Sequence, residues 1–276
     1  MDLEYDGTRY RGWQVQENAR SVAGEIQRAI RAIGAEMVDM GGSGRTDAGV
    51  HALRQTVHLR LRSPVAVEPF RAELNDALPH DINVLSLLAA ADKFHARHDA
   101  VSRAYLYQIA RRRAALAKKY VWWVKRSLNA EAMARAAGLM EGRHDFRLFC
   151  ERPADQSSTI VVVERVAVEK AGDLLLVRMV ASHFLWKMVR RAVGALVRVG
   201  TGELSQDDLR RLIDPAGHAA GGLLESSVAE WTAPPSGLFL ERAIYPGEPG
   251  PGPLLPAIPV ATVPTFTPFL GAQTRD

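Results

Sequence analysis

The stretch Gly41-Gly42-Ser43-Gly44-Arg45-Thr46-Asp47-Ala48-Gly49-Val50-His51 packs four glycines around one arginine and one carboxylate. Glycine accepts positive φ values and close approaches that other residues avoid, so such a stretch can hold Arg45 and Asp47 against a ligand in a fixed conformation. If it is locally extended, Arg45 and Asp47 project to the same side, because side chains alternate along an extended chain. The competing reading is a Gly-rich turn whose Arg45 and Asp47 form a surface ion pair of small energetic weight.

Downstream, Gln55 to Leu61 alternates Thr56, His58 and Arg60 with Val57, Leu59 and Leu61, the pattern of a strand with one buried face. Upstream, Ser21 can cap a helix whose stripe is Val22, Ile26, Ala29, Ile30 and Ile33. The carboxylate therefore belongs to a loop just before a strand. A short strand is expected at Leu3 to Tyr5, a turn at Asp6 to Thr8, and an aromatic–amide patch at Tyr10, Trp13, Gln14 and Gln16. A second helix through Phe70, Leu74 and Leu78 stops at Pro79, and a strand follows from Ile82 to Leu88.

Beyond about Ala100 the pattern of strands feeding helices repeats. Arg103 to Ile109 reads as a strand with Arg103, Tyr105 and Tyr107 on one face. A helix from Asn129 to Glu141 ends at Gly142, and Ile160 to Val168 pairs with Leu174 to Val180 around Ala171-Gly172-Asp173. The next helix buries Leu185, Met188, Val189, Ala192, Val193 and Leu196, and directs Lys187, Arg190, Arg191 and Arg198 to the other side. Ser205 and Asp208 form a capping box for a helix to Asp214, and Leu238 to Tyr245 is a closing strand. These elements predict an α+β fold of two sheet-and-helix halves, largely antiparallel, with a cleft between them. The expected division is 1–100, 101–246 and a Pro-rich tail, 247–276, that holds seven of the fifteen prolines. Such a tail cannot form a central strand and is expected to stay extended, loose or laid along the surface.

Of 276 residues, 47% are hydrophobic and 24% charged, which excludes a disordered chain. The 35 Lys and Arg exceed the 31 Asp and Glu by only four, but they are clustered. From Arg103 to Arg126 no acid interrupts Arg111, Arg112, Arg113, Lys118, Lys119, Lys125 and Arg126, and Tyr105, Tyr107, Tyr120, Trp122 and Trp123 lie among them. Basic and aromatic side chains together suit phosphates and unstacked bases; a solvated basic face beside core aromatics is the alternative. Cys150 is the sole cysteine, and no Cys/His grouping has zinc-ligand spacing. His95 and His98 lack a third ligand nearby. With no signal peptide or membrane-length apolar run, the expected location is cytoplasmic.

These residues also resemble a family. Tyr5-Asp6-Gly7-Thr8, Gly12-Trp13-Gln14 and Gly44 to Ala52 match TruA-type tRNA pseudouridine synthases, as do Leu74-Asn75, Leu78-Pro79 and Phe94 to Arg97. The match continues through Arg103, Tyr105 and Tyr107, then Gly142 with His144-Asp145-Phe146, Phe184-Leu185 with Met188-Val189-Arg190, and Ala233-Pro234 with Gly237-Leu238 and Leu240. Three departures are a first strand shorter than the family pattern, Ser158, where that pattern carries an arginine, and the Pro-rich tail.

The resemblance implies the pseudouridine synthase fold and isomerisation of uridine to pseudouridine in the anticodon stem-loop of tRNA, at positions 38, 39 and 40 in tRNA numbering. It implies no cofactor, no metal and a homodimer. Asp47 becomes the catalytic carboxylate, as nucleophile at uracil C6 or the sugar or as a base on the ribose; the residues leave these open. Arg190 is its salt-bridge partner, Arg45 fills the space that a flipped base vacates, and Tyr105 packs on that base. Thr46, Tyr107, Arg103 and Leu238 complete the expected substrate site. A non-catalytic RNA-binding protein would need the basic–aromatic face without Asp47. A phosphate-binding enzyme would use the Gly41 to Gly44 loop, yet no Gly-Lys-Ser/Thr follows those glycines.

Overall fold

The structure, a computed structural model, describes residues 1–213 and 223–261. Its strands are β1 (Asp2–Tyr5), β2 (Met37–Gly42), β3 (His51–Leu61), β4 (Ile82–Ser86), β5 (Ser102–Ala110), β6 (Trp122–Trp123), β7 (Gly142–Asp145), β8 (Ile160–Ala171), β9 (Leu174–Ala181) and β10 (Leu238–Ile244). The helices are α1 (Val22–Ala32), α2 (Val67–Ala77), α3 (Ala130–Gly138), α4 (Met188–Gly200), α5 (Gln206–Ile213) and α6 (Leu223–Glu230). Among the described residues the strands form one sheet in the order β4-β1-β3-β10-β5-β9-β8-β7, with β2 against β3 and β6 against β5. The α+β, largely antiparallel expectation holds; the β10–β3 and β5–β6 pairs are parallel.

Local chemistry sets the element ends. The Ser21 and Asn129 side chains accept from Gly24 N and Ala132 N, satisfying amides that open α1 and α3. Ser205 Oγ accepts from Asp208 N at 3.0 Å ahead of α5; Asp214, its expected last residue, lies outside the described set. Leu78 closes α2 immediately before Pro79.

Three segments depart from the periodic reading. The glycines Gly41 and Gly42 end strand β2 instead of belonging to the loop. A Cβ on Gly41 would lie 2.6 Å from His58 Cε1 and one on Gly42 2.8 Å from the Trp13 ring, so glycine is needed for closeness here. Strand β3 begins at His51, earlier than the alternation shows, and β4 stops at Ser86, short of Leu88.

Sheet parity divides the core. On one face Tyr105, Tyr107, Val177, Met179, Leu238 and Leu240 join the stripes of α1 to α5 in the main cluster. On the other face Leu106, Leu174, Leu176 and Phe239 form a smaller cluster, covered by residues of the segment between β5 and β6 and by Leu254, Ala257, Ile258 and Val260 of the tail. The described part of the tail is thus laid along the surface. Gln108, fully buried, binds both N and O of Ile258, at 3.2 and 3.3 Å. Arg178, paired with Glu241, donates to the carbonyls of Gly252 and Pro253. Pro264 and Pro268 lie outside the described residues.

Candidate active site

Asp47 sits in the turn between β2 and β3, where the backbone is heavily tied. Ser43 N donates to Thr56 O, and buried Gln55 clamps the next peptide. Its Oε1 accepts from Ser43 Oγ at 2.7 Å and Gly44 N at 3.3 Å, while its Nε2 donates to Gly44 O at 2.6 Å. Thr46 Oγ1 bonds the Tyr5 hydroxyl at 2.8 Å, and Thr46 O accepts from Trp13 N. At Gly12 (φ 101°) a Cβ would lie 2.5 Å from Thr46 O, so the Gly12-Trp13 segment can press against the loop only as glycine. Val50 N donates back to Asp47 O. Sequence reading missed Gln55, which looked like one polar position on an alternating strand; nothing in its neighbours marks it as a clamp.

Arg190, in the first turn of α4, places Nη1 3.4 Å from Asp47 Oδ2, with the two side chains 13% and 25% exposed. Its Nε donates to Ala233 O at 2.7 Å, and Ala233 N donates to Arg190 O at 3.1 Å. The guanidinium is aimed by the segment that leads into β10. Arg45, by contrast, is exposed and forms no ion pair among the described residues. The Arg45–Asp47 surface pair is therefore not what this loop makes.

The other candidates separate by role. Tyr105 is 8% exposed, edge-on to Phe184, and its hydroxyl lies 3.5 Å from where a Cβ on Gly44 would stand. Burial, and then the charge of Asp47, push its phenol well above the ordinary tyrosine range, so it is a neutral donor. Tyr107 is fully buried with its hydroxyl on Pro234 O at 2.7 Å, and Leu238 is a buried core residue paired opposite it. Arg103 is a correction to the expected ligand-facing cation. Its five N–H groups go to the backbone carbonyls of Ser43, Arg97, Ala100 and Ser182, which makes it a tie between the Asp47 loop and β9's end. Burial depresses its pKa.

A second correction concerns Arg191, expected on the side of α4 opposite the apolar stripe. It is buried, donating to Leu148 O, Cys150 O and Glu151. A helix is wide enough that neighbouring basic residues face different packing, and the loop 146–151 covers this one. The basic run is partly neutralised by acids distant in sequence: Arg112 pairs with Asp173 at 2.6 Å, and Arg126 with Glu203. Arg111, Arg113, Lys118, Lys119 and Lys125 stay exposed.

At the other end of the loop, His51 stacks on Phe239 and faces Asp6, beside a cavity of about 210 Å³ that includes His80, Asp81 and Tyr120 but neither Asp47 nor Arg190. His95 packs its ring between His58 and His98, and its Nδ1 accepts from Arg97 N and His98 N. No group of three potential metal-ligating residues occurs among the described residues, and no described helix is long and apolar enough to cross a membrane.

The sequence profile of the family described as tRNA pseudouridine synthase matches residues 3–99 and 136–246, stretches that contain Asp47 and Arg190. The chain belongs to that family. It is 40% identical over 251 residues to tRNA pseudouridine synthase A of Mesorhizobium japonicum, covering 89% of this chain and 98% of that one. To the protein of the same name from Thermoanaerobacter sp. strain X514 it is 36% identical over 245 residues, 88% and 97% of the two chains. The Agrobacterium fabrum protein of that name is 38% identical over 251 residues, 89% and 91%. Set against this pseudouridine synthase family, the Asp47–Arg190 pair lies at the junction of β3, β10 and α4, where both matched stretches meet.

Proposed function

We propose that this tRNA pseudouridine synthase family member isomerises uridine to pseudouridine in the anticodon stem-loop of tRNA, at positions 38 to 40, with Asp47 as the reacting carboxylate. The observation that carries the reading is the Asp47–Arg190 pair, held in an over-tied loop, with Tyr105 beside it. The reaction breaks the bond from uracil N1 to C1′, turns the base and forms the bond from C5 to C1′; C5 gives up its proton and N1 gains one, so the product is an isomer of the substrate. It consumes no redox equivalent and no activated group, so one ionised carboxylate serves as nucleophile or base.

Arg190 contacts Oδ2 of Asp47, and the quarter of the side chain that is exposed leaves the carboxylate within reach of a ligand. Tyr105 supports a base turned out of the stack, and Arg45, which is exposed and has no ion pair among the described residues, is available for the vacated space. Thr46, Tyr107, Leu238 and Arg103 act through the scaffold, fixing the loop and the Ala233-Pro234 segment. The exposed cations of the 111–125 run supply phosphate contacts whose affinity falls steeply with salt. Neutralising three of them should flatten that dependence. A homodimer and a cytoplasmic location are part of the reading, the first checked by sedimentation at micromolar concentration.

The test is Asp47→Asn. The amide keeps the size but is neither a carboxylate nucleophile nor a useful base, so pseudouridine mapping should show turnover abolished and tRNA affinity within a few-fold of wild type. Turnover near wild type sinks the assignment. Loss of turnover with retained binding also excludes a purely RNA-binding protein.

A further inference from the structure

Trp186 precedes α4 and is 41% exposed. Arg152 places Cζ 5.4 Å from its ring centroid and Lys187 places Nζ 5.6 Å away. Among the described residues, Arg152 (φ 54°) and Lys187 (φ 63°) are the non-glycine residues with positive φ. These two described residues thus flank one aromatic ring, and strain of this kind persists where surrounding structure enforces it, often at ligand clamps.

The surroundings enforce it here. Trp186 O accepts from Glu151 N at 2.9 Å, and Glu151 also binds Lys187 Nζ at 3.0 Å and buried Arg191. Those contacts, with the attraction of the lysine and arginine, pull the Glu151 carboxyl below its usual range. Lys187 is therefore held, whereas Arg152 is exposed and forms no ion pair among the described residues. The ring is also close in sequence to the reacting groups: Phe184 lies against Tyr105, and Arg190 reaches Asp47 one turn into α4.

We propose that Trp186, with Arg152 and Lys187, is a stacking platform for an unpaired nucleotide of the RNA substrate that flanks the target uridine. A base stacks on the indole and its phosphate meets the cations, of which Arg152 is free to leave the ring. Aromatic faces accept any base, so the platform adds affinity and register rather than sequence choice. This rests on RNA being the substrate and not on the chemistry given to Asp47.

The experiment measures binding of a labelled anticodon stem-loop hairpin, together with KM and kcat, for Trp186→Ala, Trp186→Phe, Trp186→Leu and Arg152→Ala. Trp186→Ala should weaken binding about 10-fold, within the range of base–aromatic stacking, and raise KM with kcat retained. Trp186→Phe should stay within about 3-fold because it keeps a ring face. Arg152→Ala should lower the slope of log affinity against log salt by about one. Binding and KM of Trp186→Ala within two-fold of wild type overturn the platform. If the alanine variant does not fold, equal affinities for Phe and Leu overturn it instead. Pseudouridine is counted in the same preparations: Trp186-dependent binding without any pseudouridine removes the Asp47 chemistry and leaves the platform, while normal turnover with Trp186-independent binding removes the platform alone.

Discussion

Arg190 holds Asp47 with one nitrogen and Ala233 with another, at 3.4 Å to Oδ2 and 2.7 Å to the carbonyl. A guanidinium can do both because its N–H groups are fixed in one plane, whereas an ammonium is a single point charge. Arg190→Lys should keep one contact and lose the other, lowering kcat about 100-fold, comparable to removing one oriented charge donor at an active site. Arg191 is no control, since it is buried on Glu151. Arg62, 74% exposed, is; Arg62→Lys should leave kcat unchanged, and equal rates for the two variants would make Arg190 a bystander.

The Gln55 clamp predicts a substitution effect of a different kind. Gln55→Glu keeps the acceptor for Ser43 and Gly44 N but loses the donor to Gly44 O and buries a charge. The expected loss is about 2–4 kcal/mol in stability, read from denaturant midpoints. A midpoint equal to wild type would mean that the loop holds itself.

All six tyrosines have phenols shifted above the ordinary value, burial being the leading cause in each, and Tyr245 is pushed up to about 12. A raised phenol pKa contributes stability that is complete below the unfolded value near 10 and is lost as pH rises through the folded value. Thermal midpoints should therefore hold to about pH 10 and fall above it. Phenolate absorbance should rise together with unfolding. Titration of most tyrosines near pH 10 in the folded protein would contradict this burial.

Deleting residues 249–276 uncovers Leu106, Leu174, Leu176 and Phe239 and leaves Gln108 without its Ile258 partners. The truncated protein should melt several degrees lower and bind a hydrophobic dye, because it gains an exposed apolar patch. An unchanged melting curve would show the tail to be an ornament.

Much of this was legible in the sequence, for identifiable reasons. Helices with a clean stripe, such as α1 through Ile26 and Ile30, announce themselves because burial on one face imposes a period, whereas β5 is buried on both faces along its whole length. The Gly44 to Ala52 motif marked the candidate site. What stayed hidden depends on partners far away in the chain. Whether Arg103 meets a ligand or four carbonyls, and whether Arg191 meets water or Glu151, is decided by packing that no local period encodes. The end of β2 was hidden because Gly41 and Gly42 read as loop, although their reason is the nearness of His58 and Trp13.

Strand β10 lies between β3 and β5, pairing parallel with the first through Phe239 and Leu240 and antiparallel with the second. On a ribosome, that seat stays empty until nearly the whole chain has been made. Until then β3 and β5 present two unpaired edges, the kind of surface that recruits other strands. The approach to β10 also carries Ala233, the carbonyl that aims Arg190. A nascent chain that has completed its motif loop and α4 still lacks a working pair, so premature termination anywhere before residue 233 should give an inactive and sticky product rather than a weak enzyme.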